Sequence, residues 1–313
     1  MKIHLTMVLA LCGGAMLPAG LLAGQAGAPA PNAAQQGAAA APGNSPAAPG
    51  NPLEQLTPEQ KQKFEESFHL FQSQDYAGAL AIDKQLLAAV PANTPAHVLI
   101  AKFAAEAALD TGDNSFALSA LQPIEAANAN DWQAAALLAR AYAEAGDKAR
   151  RDAELAHLVD LHKRAVDPQI AQLTQIPLET IPFTKGTGSA AAKGTIRVFY
   201  SLEPWSNFHI YLMARIYDQA GKQVYRVTLE SDDMDQVFFK RDHPDLAAKG
   251  ERRFSLDGYG PDIQLPNGQV TQDHATYGFF DGKPDYDTYR ARVIEIAEGT
   301  QTPMSQTTHG SKP

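Results

Sequence analysis

The side chains best suited to chemistry in this 313-residue sequence gather in its last third. Asp232, Asp233 and Asp235 precede a short apolar run, Asp242, His243 and Asp245 follow it, and Asp273-His274, Asp281, Asp285 and Asp287 come later. Carboxylates collected from several loops suit Ca²⁺, which takes a flexible shell of oxygen ligands, and His243 with His274 would add nitrogen ligands for zinc. A carboxylate pair could instead serve as acid and base on a glycosidic bond. None of these spacings matches a defined motif. Asp is also an ordinary turn residue, because its side chain bonds nearby backbone N–H groups. The turn role takes precedence, so no catalytic residue, no metal and no other cofactor is expected. The sequence has no His-Glu-x-x-His, no Gly-rich phosphate loop ending in Lys and Ser or Thr, and no Gly-x-Ser-x-Gly elbow.

A second set lies along one expected strand. From His209 to Tyr217, the apolar Ile210, Leu212, Ala214 and Ile216 alternate with His209, Tyr211, Met213, Arg215 and Tyr217. With Trp205 just before them, Trp205, His209, Tyr211 and Tyr217 form a possible ligand face, able to stack on sugar rings or accept a peptide. The competing expectation is that a second sheet or the helices cover this face, since an open aromatic surface invites aggregation, and it takes precedence.

The elements that would carry these residues follow a disposable-looking start. Lys2 and His4 lead into the apolar stretch Leu5 to Leu22, and small residues follow, with Gly24 and Ala26 placed for cleavage before Gly27. Residues 1–26 therefore read as a secretory signal peptide, which implies a secreted or periplasmic protein that is not an integral membrane protein after cleavage. The only cysteine, Cys12, falls within this segment, so the mature chain has no thiol chemistry. Residues 27–56 are mostly Ala, Pro, Gly, Gln and Asn and read as a disordered linker. The formal net charge of −9 argues against a nucleic-acid partner, whose phosphates are neutralised by Lys and Arg.

From Thr57 the pattern turns helical. Thr57-Pro58-Glu59 is a helix start, and Phe64, Ser67, Phe68 and Phe71 recur at the spacing of a buried stripe. Asp75-Tyr76, Ala79 and Pro91 follow, and Gly112-Asp113 and Gly146-Asp147 place equivalent turns about 34 residues apart. Over 57–166 the chain resembles the tetratricopeptide repeat, a stack of helical hairpins. The resemblance implies a ligand-facing groove on the first helices, with Lys102, Glu106, Gln133, Arg140 and Glu144 as the partner-binding positions and a protein or peptide as the ligand. The competing reading is a solvated helix face with pairs such as Arg140 and Glu144.

After Pro168 helical periodicity ends. Thr195 to Ser201, His209 to Tyr217, Val224 to Leu229, Gln236 to Lys240, Arg253 to Leu256, Ala275 to Phe280 and Thr288 to Ile296 read as strands, and Asp218 to Lys222 as a hairpin loop. Seventeen of the 25 aromatics lie from Phe183 onward, a bias that favours strands. The expected fold is α+β in two domains: a tetratricopeptide-like α-hairpin array, then a β-rich domain over 167–298 forming an antiparallel sandwich or small barrel. Residues 299–313 read as a disordered tail. The expected function is a non-enzymatic adaptor of the cell envelope that binds proteins through the groove. The alternative is a carbohydrate-binding or carbohydrate-acting β domain with the array as accessory.

Overall fold

A computed structural model describes residues 51–187, 191–203 and 208–307. The expected signal peptide, most of the linker, Trp205 and residues 308–313 lie outside the described residues.

Three helical hairpins open the described chain: α1 (Pro58–Gln72) with α2 (Tyr76–Ala89), α3 (Pro95–Thr111) with α4 (Asn114–Ala127), and α5 (Trp132–Ala145) with α6 (Lys148–Lys163). Local chemistry sets their ends. Thr57 and Gln60 form a reciprocal capping box at α1, and Asp75, Asp113, Asp131 and Asp147 each accept a backbone N–H in the first turn of the next helix. Gly112 and Gly146 end α3 and α5 at φ 80° and 73°, where a Cβ would be strained. The first helices of the hairpins start at Pro58, Pro95 and Trp132, an even period of 37 residues. Phe64, Phe68 and Phe71 close around Phe103 of α3, with ring centroids 5.5, 5.9 and 4.9 Å away. Many close-packing positions are alanine, and α3 is buried without a break from Leu99 to Leu109.

The linker ends earlier than its composition suggested. Pro52–Gln55 form a 3₁₀ turn, Leu56 is buried in the helical core, and Gln55 accepts the backbone N–H of Ala96 at 3.2 Å.

The second part is one open antiparallel sheet in the order β1 (Gln175–Lys185), β2 (Ala192–Ser201), β3 (Phe208–Asp218), β4 (Gln223–Asp232), β5 (Arg252–Tyr259), β8 (His274–Gly282) and β9 (Ser305–Thr307), with a separate small hairpin of β6 (Ile263–Gln264) and β7 (Val270–Thr271). The α+β layout is the expected one, but the second layer is helical where a second sheet or a closed barrel was anticipated. Two expected strands are helices. Gln236–Lys240 belongs to α7 (Asp233–Asp242), which Asp232 caps and which Lys240 and Arg241 finish. Thr288–Ile296 belongs to α9 (Tyr286–Glu298), whose buried Tyr286, Tyr289, Val293, Ile296 and Ala297 follow helical spacing. A short α8 (Pro244–Ala248) follows α7. In the expected tail, Ser305–Thr307 pairs with β8 as an edge strand.

The sheet's inner face packs on α9 and on the third hairpin. Trp132, Ala135, Ala136 and Ala139 of α5 and Leu155, Leu158 and Leu161 of α6 share one core with Ile176, Ile196, Val198 and Leu212 of the strands. Polar clamps flank that core. Arg151 of α6 is fully buried, 2.6 Å from Asp287 and 4.4 Å over the Tyr286 ring. Glu179 of β1 takes both Arg290 bonds at 2.7 Å and the Tyr286 hydroxyl at 2.5 Å.

Candidate functional site

The five expected groove residues form two charged networks, and three of the five are buried. Lys102, Glu106 and Arg140 are only 8, 2 and 8% exposed. Lys102 donates to Asp131 at 3.0 Å and to Gln133 at 2.8 Å, tying α3 to the start of α5. Arg140 donates to Asp110 at 2.6 Å and to Glu144, one turn on, at 2.9 Å. Its charge is further stabilised by those two carboxylates despite burial. Glu106 has one oxygen with no hydrogen-bond partner among the described residues. Burial pushes its carboxyl up to about 8, with Arg140 pulling it down and Asp110 pushing it up. A buried ion pair already saturated by its own chain has little left to offer a ligand. These side chains serve as cross-hairpin clamps. The small alanines of α3 and α5 bring the helices close enough to enclose them. A similar buried acid, Asp83, receives the Ser67 hydroxyl at 2.7 Å and is pushed up to about 7 by desolvation.

The array does carry an open recess. A cleft of about 390 Å³ lies between α2, α3 and α4, walled by Leu87, Val98, Phe116, Pro123 and Ile124, with His97 among its polar groups. Pro123 sits inside α4, where it removes a backbone donor. The volume and mainly apolar wall match a small ligand site or a pocket for one partner side chain.

The expected ligand face on β3 is split. A bulge between Ile210 and Leu212 breaks the alternation. Tyr211 therefore packs edge-on against Phe254, at 5.2 Å, with the inner core. His209 meets Asp233 at 3.2 Å, and Trp205 lies outside the described residues. Only Tyr217 faces the opposite side with Met213 and Arg215, and it is buried beneath a cation: the Arg197 guanidinium stands 4.9 Å over its ring. Arg215 covers Phe199 at 5.1 Å and Arg226 covers Tyr259 at 4.7 Å. Three rings of this face, Tyr217, Phe199 and Tyr259, are thus capped by arginine, whereas Phe279, paired with Ser255 on the same face, stands 55% exposed.

Several of the loop carboxylates also have structural partners. Asp232 caps α7 through Met234 N at 2.6 Å, Asp242 pairs with Arg241, and Asp285 and Asp287 hold Lys148. Asp281 accepts Arg253 at 2.8 Å, a bond that holds its carboxyl below the usual range. His274 meets Asp257, not His243, at 2.9 Å, and stacks on Tyr259 at 4.9 Å. Beside it, Glu230 accepts from Thr228 and Tyr259, both at 2.9 Å, and burial raises its pKa. Among the described residues, a different trio has metal-ligand geometry: Glu125, Glu154 and His157, with ligand atoms within 4.8 Å of one another. Burial first, and Glu125 second, push Glu154 up to about 7. The His157 ring stands 3.7 Å from Glu154 and 3.8 Å from Glu125.

Sequence reasoning missed Asp110, Asp131, Glu179, Arg197 and Arg226. The first two meet Arg140 and Lys102 across 30 and 29 residues, which needs the packing of α3 against α5. Glu179 depends on α9 packing against β1, and the two arginines on strand pairing. Neither a scan against protein-family models nor a search of curated proteins finds a match to this chain. Among the described residues, no helix is long and apolar enough to cross a membrane.

Proposed function

We propose that this chain is a non-enzymatic adaptor of the cell envelope, secreted or periplasmic after removal of residues 1–26, whose tetratricopeptide-like array captures a protein or peptide. The observation that carries this reading is the apolar cleft of about 390 Å³ within the array. A partner's apolar side chain would seat between Val98 and Phe116, with polar groups at His97 and Asn93 for its backbone. The cleft replaces the charged positions Lys102, Glu106, Gln133, Arg140 and Glu144 as the contact surface, because Lys102, Glu106 and Arg140 are buried, and Lys102 and Arg140 are already held by Asp131 and Asp110. The β part adds a second docking element. On α7, Met234, Val237 and Phe238 are 61, 58 and 45% exposed at i, i+3 and i+4, an apolar stripe on an otherwise polar helix. The alternative, a carbohydrate-binding or carbohydrate-acting β domain, has less to support it, because the expected rings Tyr211 and Tyr217 are packed against Phe254 and beneath Arg197.

The test compares capture from envelope extract by the mature chain, by Ser119→Trp and by Met234→Asp/Phe238→Asp. Ser119 is an exposed cleft-lining residue, so an indole there fills the recess without entering the core. A partner held by the wild type and lost from Ser119→Trp, with an unchanged melting temperature, supports the array reading. Retention of every partner by Ser119→Trp overturns it.

A further inference from the structure

The sheet face opposite α9 carries a charge pattern that the adaptor reading does not use. Cross-strand pairing sets Arg197 opposite Arg215, Arg215 opposite Arg226, Arg226 opposite Tyr259, and Tyr259 opposite His274. Directly opposed residues share a face, so β2, β3 and β4 line up three guanidinium groups in one row. Strands lie about 4.8 Å apart, so the row spans on the order of 10 Å. Like charges directly opposite one another are unfavourable, and sheets ordinarily interleave them with acids.

No acid neutralises this row among the described residues. The nearest carboxylates on the same face, Glu230 and Asp257, are engaged elsewhere: Glu230 by Thr228 and Tyr259, Asp257 by Thr276 at 2.7 Å and His274. Among the described residues, the only polar side-chain partner of the three arginines is Gln272, 3.4 Å from Arg226. The Nε atoms of Arg197 and Arg226 are fully buried and have no acceptor. Beneath, each guanidinium rests on an aromatic ring, which fixes its plane and leaves its N–H edge available. At the β2 end the row opens into a recess of about 240 Å³ that includes Lys193, Thr195, Arg197, Tyr217 and Asp218, the last accepting the Lys222 backbone N–H at 2.9 Å.

We infer that this row is a binding site for an oxyanion ligand carrying at least two anionic groups about one strand spacing apart. Planar, stacked guanidiniums recognise carboxylate and phosphate oxygens in pairs, and three in register select for a multivalent anion over a single ion. Lys193 extends the positive potential toward the recess. Glu230 and Asp257 bound the site on the β5 side, so that a long polyanion is disfavoured beyond the third arginine. The site is independent of the helical cleft, and Ser119→Trp leaves it intact.

Two probes share this chemistry and separate its sources: tripolyphosphate for phosphate and citrate for carboxylate. Isothermal titration of the mature chain at low salt should give saturable one-to-one binding of at least one of them. Phosphate-only or carboxylate-only binding names the source, and either supports the site. Arg215→Gln should weaken that binding at least tenfold, added salt should weaken it further, and the ligand-free variant should melt no lower than the wild type because a repulsion has been relieved. The inference is overturned if neither probe binds saturably, if binding survives within twofold in Arg197→Gln/Arg215→Gln/Arg226→Gln, or if ligand-free Arg215→Gln melts well below the wild type.

Discussion

Glu106→Gln isolates the cost of one buried carboxyl. In the folded protein Glu106 is sealed within the helical array and its carboxyl is raised from 4.5 to about 8. Between those values the folded state holds a proton that the unfolded chain releases, so stability falls as pH rises through this window. Below about pH 4.5 both states are protonated and the penalty vanishes. The full displacement corresponds to roughly 5 kcal/mol at pH 8 and above, and to about 2 kcal/mol at pH 6. The first figure is a ceiling, because Arg140 lies close enough to swing toward a charged Glu106 and relieve it. Glutamine has the same shape and no titration, so wild type and Glu106→Gln should coincide near pH 4.5 and separate steadily toward pH 8, with the variant more stable. A gap of about 3 kcal/mol would move the urea midpoint by about 1 M or more, at unchanged m-value. Asp83 titrates in both proteins and cancels in the comparison. Urea melts at half-unit steps from pH 4.5 to 8 provide the measurement. Parallel midpoints across that range would refute the buried, proton-retaining Glu106.

Three further outcomes follow from the clamps and the sheet. Arg140→Met leaves Asp110 and Glu144 facing each other without a cation and should cost about 3–5 kcal/mol in urea unfolding at pH 7; a loss under 1 kcal/mol would mean the two acids are solvated. Lys102→Glu sets a like charge against Asp131 and should lower the melting temperature, so any lost binding by this variant should track the unfolded fraction seen by circular dichroism. Gly194→Ala drives a methyl group into the Tyr217 carbonyl and the Phe183 ring at the β2–β3 pairing, and should destabilise by about 1–3 kcal/mol on the same urea assay.

The helical hairpins were readable because their signals are local. Thr57 with Gln60, the Asp caps, and the glycines at 112 and 146 act within a turn of their own position. The hairpin at Asp218–Lys222 is equally local: Asp218 N–H bonds the Lys222 carbonyl at 2.9 Å, and Gly221 supplies φ 77°. Short segments were less secure. Over five to nine residues α7 and α9 offer both alternating and helical readings, and neighbours decided between them. Gln236 reaches back to Ser231 and to the Arg253 carbonyl, and α9 fills the inner face through Tyr286, Tyr289 and Val293.

By itself, then, the sequence determined the order of the parts, the three hairpins, the alternation of most strands and the absence of cysteine after Cys12. Tertiary structure decided what those side chains became. Lys102, Glu106 and Arg140 occupy positions that an open groove would expose, and alanine-tight packing of α3 against α5 enclosed them with Asp131 and Asp110. One extra residue at Tyr211 turned that ring from the open face to the core. Arg197, Arg215 and Arg226 lie on three consecutive strands, and only the pairing register of β2, β3 and β4 placed them side by side. Caps and turns are settled by neighbours within four residues, whereas burial, register and charge pairing depend on groups that meet only after long loops have closed.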